Sequence, residues 1–432
     1  MIVNKKLHLV WFLISTFMLQ FSVGNSQPHS DNALVKRSIF KNPLTYKLTR
    51  SATNDSWGKD LFGSPRGIAK SYIMSPSGDL ITAMTFELDH AWNRFVYSEV
   101  FSNWIRAYGS YGTASCQFWS PRSIVSFAPF DDQYYSYYHY VFVADTRHNR
   151  ITRLKYKWTD QIWLCYSPIV AIPLESPRDI DLNENFDFFP ETNDYLWVVN
   201  GSDQIIRFDF NGTLLNIVGE SGCDGLNWQF CRPSAVVSGR SYFLTEPYDR
   251  FANTNDFYVA DAGNNRIVWL QILPDGQSFV WKNKVSTSSS IVDLETDIFG
   301  HVWAVDRDAG TITKYRYDLW PLCTFGATGI DEGQFLRPVA ITNNGGFYGF
   351  GNMSVAESWS DSSGLQYFAI GTDILDFTTS STQNERWHFI SYTLIDPSYV
   401  NLCIVDANSG ALVKTLFQGS QFSGPCSFVG TA

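Results

Sequence analysis

From about residue 60 onward the chain runs as short alternating apolar stretches broken by polar turns. Val141-Phe-Val-Ala-Asp145 leads through Thr-Arg-His-Asn149 into Arg150-Ile151, and Phe257-Tyr-Val-Ala-Asp261 leads through Ala-Gly-Asn264-Asn265 into Arg266-Ile267-Val268. Each predicts strand, turn, strand. Period-two alternation makes the strands, the Asp carboxylate accepts turn amides, and Asn or Gly tolerates left-handed backbone. Looser copies start at Leu196, Val302 and Val355.

A second motif fixes the beat. Ser64-Pro65-Arg66, Ser120-Pro121-Arg122 and Ser176-Pro177-Arg178 are near-copies, and Arg232-Pro233-Ser234 is a fourth, so the prolines recur about every 56 residues. Ser290-Ile291-Val292 and Pro338 continue the series. A fixed period of strand-rich units predicts small sheets that must cover one another, closing into a ring. A Gly-rich lead-in precedes some prolines: Gly109 to Gln117-Phe118, Gly219 to Gln229-Phe230, and Gly326 to Gln334-Phe335.

Together the Gly-Gln-Phe lead-in, the Pro motif and the Val-Ala-Asp turn with Asn-Arg-Ile resemble the NHL repeat. The resemblance covers roughly residues 60 to 375. It implies an all-β fold: a six-bladed β-propeller over 60–380, with innermost strands at Pro65, Pro121, Pro177, Pro233, Ile291 and Pro338. The first unit is weakest, with Trp92-Asn93-Arg94-Phe95 as its trace of the turn.

A different pattern follows over 383–432. Trp387 to Leu394, Val400 to Val405 and Leu412 to Phe417 read as strands joined by turns at Asp396-Pro397 and Asp406 to Gly410. Their order is similar to the immunoglobulin-like domain of the flagellar hook-capping protein. That resemblance implies a small, incomplete β-sandwich and a bacterial source, with an exposed edge unless another chain or the propeller covers it.

The amino terminus predicts export. Lys5 and Lys6 precede an apolar run from Leu7 to Val23, and Gly24 and Ser26 suit a cleavage site, giving a signal peptide over 1–26 and an extension over 27–59. The run is short for a membrane anchor and no later segment is long enough to span a bilayer, so no membrane span is expected after cleavage. The expected location is secreted or cell surface. Aromatic residues make up 16% and the net charge is −10 with no Lys/Arg tract, which argues against a nucleic-acid partner.

Seven cysteines leave at least one unpaired within the chain. Cys223 and Cys231 share a loop and are the leading candidate pair, with Cys403 and Cys426 next. No spacing resembles a zinc site, and His90, His139, His148 and His301 fall at different registers, so neither a metal site nor a cofactor is expected. No Ser/His/Asp constellation is evident.

In a propeller the residue after the strand-opening Pro lies near a channel mouth. Arg66, Arg122 and Arg178 there would suit a carboxylate, phosphate or acidic sugar. The alternative is pairing with a carboxylate such as Asp179, or stacking on a ring. Arg150 and Arg266 are expected to bond across their turns to Asp145 and Asp261. Tyr134, Tyr135 and Tyr137 offer a possible aromatic contact patch on a loop tip. The four Asn-x-Ser/Thr triplets, at Asn54, Asn200, Asn211 and Asn352, would matter only in a eukaryotic secretory pathway. The expected role is a binding or scaffold protein presenting a propeller face to a protein or carbohydrate ligand. The alternative is a lyase or hydrolase acting at the channel mouth.

Overall fold

The computed structural model describes residues 63–74, 80–99, 105–128, 138–169, 174–183, 195–239, 255–297, 299–329, 333–343, 351–358, 364–370, 374–381, 387–395, 398–405 and 412–431. The predicted signal peptide, the amino-terminal extension and Tyr134, Tyr135 and Tyr137 lie outside them.

Strands dominate, and among the described residues no α-helix occurs. Between residues 65 and 370, six antiparallel meanders follow one another, the first five four-stranded and the last three-stranded. Their first strands are Pro65–Met74, Ser123–Phe127, Asp179–Asn183, Ala235–Ser238, Ile291–Thr296 and Pro338–Asn343. Each first strand lies against those of its two neighbours, and the sixth lies against the first. The sheets therefore stand around an axis as in a propeller, each meander running outward from the centre.

The apolar core is divided accordingly. Six buried clusters fill the six gaps between neighbouring sheets, from Phe86, Phe95 and Tyr156 in the first gap to Ile68, Val339 and Leu365 in the last. A strand with apolar residues on both faces suits this place, because each face meets a different neighbour. Phe118, Phe230 and Phe335 of the lead-in segments are fully buried. Each ring occupies space that only a glycine leaves open: a Cβ on Gly219, at φ +87°, would stand 2.3 Å from the Phe230 ring.

Innermost strands have one edge without a strand partner, and neighbouring side chains supply acceptors to it. Asp179 accepts from the Val236 amide at 2.9 Å, Asp181 from the Ser238 amide at 2.8 Å, and Asp293 from the Ile341 amide at 2.7 Å. Buried edge amides thus find partners one sheet further on. Burial pushes the Asp179 carboxyl up to about 7 and Asp293 well above the carboxylate range, with their mutual repulsion adding to the effect on Asp293.

The carboxy-terminal part forms a three-stranded sheet of Ile374–Ser381, Trp387–Leu394 and Gly424–Thr431, and a hairpin of Ser398–Val405 with Leu412–Gln421. Ile390, Tyr392, Leu394, Val400 and Leu402 bury one another between the two. The strand Ile374–Ser381 pairs with Trp387–Leu394, so this sheet begins ahead of residue 383, where the sequence places the module's start. The final strand, Gly424–Thr431, pairs along its full length with Trp387–Leu394.

Candidate functional site

The turn motif sets the geometry of one end of the ring. Asp145 and Asp261 are fully buried and receive their arginines at 2.8 and 2.7 Å, from Arg150 Nε and Arg266 Nε. The same carboxylates accept the amides of Trp119 and Cys231, both at 2.7 Å. The guanidinium ends reach on to lead-in carbonyls: Arg150 to Thr113, Ala114 and Gln117, Arg266 to Gly225, Leu226 and Gln229. The first sheet holds the same pair in weaker form, Arg94 with Asp89 at 3.7 Å. The turn asparagines also reach the next unit: Asn93 Oδ1 accepts the Ser120 amide at 2.7 Å and Asn149 Oδ1 the Ser176 amide at 2.8 Å.

The residues before the prolines, Ser120, Ser176 and Arg232, take left-handed φ of 53°, 44° and 48°, which swings the chain sharply toward the axis. Arg122 and Arg178 follow, their amides held by the carbonyls of Ala144 and Val199. Arg122 and Arg178 line one cavity of about 340 Å³ with His90, Ser120, Thr146, Arg147 and Ser176. Arg178 is half-buried and anchored: it donates to Asp203 Oδ1 and to the Gly201 carbonyl at 3.2 Å, and to the Pro233 carbonyl at 3.3 Å. Asp179, offered by the sequence as its partner, is engaged by the neighbouring strand instead. Arg122 is exposed, and among the described residues no carboxylate pairs with it or with Arg66.

Like charges crowd this end. Burial, then the charges of Arg122, Arg307 and Arg337, lower the Arg66 guanidinium from its ordinary value. Partial desolvation, then Arg178 and Arg147, do the same to Arg122. The sequence suggests a one-sided arc of three arginines. Arg307 of the fifth sheet and Arg337 ahead of the sixth act on Arg66 from further round the ring, while the fourth sheet carries Ser234 after its proline. Arg337 stands immediately before Pro338, one place earlier than the motif arginines, and Arg307 sits in a turn.

His90 lines the same cavity. Its Nδ1 is 3.0 Å from the Pro121 carbonyl, which can only accept, so Nδ1 carries the proton and Nε2 keeps its lone pair. Burial, then the charges of Arg66 and Arg122, hold this imidazole below its ordinary value against the pull of Pro121 and Asp89.

Two disulfides brace lead-in loops: Cys223 with Cys231, and Cys116 with Cys165 across 49 residues. Cys426 forms no disulfide, so the suggested pairing with Cys403 is absent. Among the described residues no group of three His, Cys, Asp or Glu side chains is arranged to hold a metal ion.

A Ser–His–Asp relay does assemble, though no local motif announces it. Ser423 Oγ lies 2.8 Å from His301 Nε2, and His301 Nδ1 donates to Asp297 Oδ2 at 3.0 Å. Trp303 Nε1 donates to the same oxygen at 3.0 Å and Lys314 Nζ lies 3.6 Å from it. Burial opposes ionisation of Asp297, but His301 and Lys314 outweigh it and hold the carboxyl below its ordinary value. Ser423, His301 and Asp297 are all buried. The relay joins the fifth sheet to the carboxy-terminal part, and its chemistry is that of a polar peg.

No protein-family model and no curated protein matches the chain. Among solved structures it is similar to a streptogramin B lyase, at 12% identity and TM-score 0.42 over 86% of this chain and 95% of that one. A calcium-binding regucalcin from Agrobacterium tumefaciens gives 10% identity and TM-score 0.44 over 72% of this chain and 90% of that one. A luciferin-regenerating enzyme gives 11% and 0.42 over 72% and 92%. At this level of overlap the likenesses carry no argument about activity.

Proposed function

We propose that this chain is an exported, cell-surface or secreted binding protein: a six-bladed NHL-type propeller with a carboxy-terminal immunoglobulin-like module, whose arginine-rich mouth receives an anionic group of a protein or carbohydrate ligand. One observation carries the reading. In a chain of net charge −10, Arg122, Arg147 and Arg178 line one cavity, and among the described residues Arg178 is the one motif arginine paired with a carboxylate, Asp203. A guanidinium held by carbonyls on a rigid frame, as Arg178 is, suits carboxylate, sulfate or phosphate, since the fork geometry is preset. The test is calorimetric titration of sulfate and of poly-glutamate into the wild type and the Arg122→Ala/Arg178→Ala double variant. Binding by the wild type that weakens with salt and falls at least about tenfold in the variant supports the reading. Equal affinity in both refutes it.

A second reading, catalysis at the same mouth, is favoured by His90. A neutral imidazole with a free Nε2 beside guanidiniums is arranged to take a proton from carbon next to a bound carboxylate, the first step of an elimination. His90→Gln would keep anion binding and abolish turnover. A ligand recovered unchanged after prolonged incubation with the wild type leaves the binding reading alone.

A further inference from the structure

The rim of the arginine cavity carries a second feature that anion binding does not use. Trp119 immediately precedes the cavity residue Ser120, and its ring is 37% exposed. Tyr111 stands beside it, 62% exposed, with ring centroids 6.1 Å apart. Arg147, which lines the cavity, places its guanidinium 5.4 Å from the centre of the Trp119 ring. Aromatic ledge and cationic cavity thus share a wall. Single exposed aromatics need no explanation, but here two adjoin a built pocket.

The ledge is held rigid. The Trp119 amide is fixed by Asp145, and the Trp119 carbonyl accepts the Arg147 amide at 3.1 Å. The loop carrying Tyr111 is tied by three Arg150 bonds and by the Cys116–Cys165 disulfide. Preset exposed rings lose little entropy on binding, which is the condition under which surface aromatics add affinity. The cavity wall also carries the hydroxyls of Ser120 and Ser176, while Thr146 Oγ1 donates its proton to the Pro177 carbonyl at 2.8 Å. Hydroxyls both donate and accept, as a polyhydroxylated ring requires.

We infer that the mouth takes an anionic saccharide, with a carboxylate or sulfate among Arg122, Arg147 and Arg178 and an adjoining sugar ring laid against Trp119 and Tyr111. This rests on the anion-binding reading and narrows it. An acidic peptide would satisfy the arginines but has no need of the ledge or the hydroxyls. A free phosphate would leave both untouched.

Calorimetry with four probes separates the cases: oligogalacturonate (carboxylate), a sulfated dextran oligosaccharide (sulfate), poly-glutamate (anion without sugar) and AMP (phosphate with a stacking base). At least one of the two saccharides is expected to bind, and to bind more tightly than poly-glutamate. Trp119→Ala should weaken that saccharide about tenfold while changing poly-glutamate affinity less than about twofold. Tyr111→Ala, outside any hydrogen-bonded core, gives the same pattern to a smaller degree and serves if the Trp119 variant melts early. Saccharide affinity unchanged in both ledge variants, no saccharide binding beside intact poly-glutamate binding, or ledge dependence shown by AMP alone overturns the inference while the anion reading stands. Loss of every probe's binding defeats the anion reading itself.

Discussion

His301 and Ser423 stand 122 positions apart in the chain and 2.8 Å apart in the fold, joined Nε2 to Oγ. One belongs to the fifth sheet of the ring and the other to the turn before the last strand. Arg316 adds a long contact to the Ser423 carbonyl at 3.5 Å. Among the described residues, these polar contacts dock the carboxy-terminal part on this face.

His301→Ala should loosen that dock. It removes the link to Ser423 and one donor from the buried Asp297 carboxylate, a loss of roughly 1–3 kcal/mol. Limited proteolysis should then cut between the ring and the last strands under conditions in which the wild type resists. Ser423→Ala should show the same cut at lower yield. Wild-type resistance in both variants would mean the peg contributes nothing to docking.

Gly219→Ala should be among the most destabilising single changes in the ring. The residue is left-handed at +87°, and a Cβ would meet the buried Phe230 ring at 2.3 Å. Strain and overpacking together suggest about 2–4 kcal/mol. Gly276→Ala is the control: it is also left-handed, at +67°, with open space around it. That change should cost only about 1–2 kcal/mol. Urea denaturation of both variants decides whether the phenylalanine plug, rather than φ alone, is what demands glycine.

The ring was legible because its signal repeats. The spacing of about 56 residues between the first four Pro motifs and the Asp-to-Arg turn of the first, second and fourth sheets each report contacts that recur from unit to unit. Imperfect copies carry a weaker signal. Asp89 and Arg94 keep the same Asp-x4-Arg interval as Asp145 and Arg150, yet the intervening residues differ and only Trp92 to Phe95 stood out as the turn. Arg337 sits off the motif position, so the repeat does not mark it. The turn asparagines tolerate left-handed backbone, and Asn93 and Asn149 also hold the next unit's serine. Contacts made once leave no periodic trace. Cys116–Cys165 and Asp297–His301–Ser423 join segments that sequence spacing does not relate, and only the fold brings them together.

Asp203→Asn should tighten anion binding at the mouth. Asp203 Oδ1 lies 3.2 Å from Arg178 Nη1, and both side chains are largely buried, at 24% and 17% exposed. The Gly201 and Pro233 carbonyls keep Arg178 in place without it. Removing one negative charge beside the guanidinium should raise sulfate affinity about two- to fivefold, in line with the modest worth of a partly exposed pair. Weaker binding in the variant would show that Asp203 positions Arg178 for its ligand.

His139 should make the ring sensitive to mild acid. The ring lies fully buried between the first and second sheets, with Nδ1 2.7 Å from Ser71 Oγ, Nε2 without a partner, and Phe86 and Tyr156 nearby. Burial pushes its imidazole down to about 3. The folded state therefore keeps His139 neutral while the unfolded chain takes up a proton below about 6.5, so stability falls as pH drops through that window. Each unit costs about 1.4 kcal/mol, or roughly 2 kcal/mol between about pH 7 and pH 5. Other groups titrate too, with Asp179 near 7 acting in the opposite sense, so the wild type alone does not isolate the effect. His139→Phe keeps an aromatic ring of similar size and removes the proton site. The stability difference, wild type minus variant, should shrink by about 2 kcal/mol on going from about pH 7 to pH 5. A difference that stays flat across this range would mean that His139 is solvated or protonated in the folded protein, and that the seam between the first two sheets is more open to water than its aromatic packing implies.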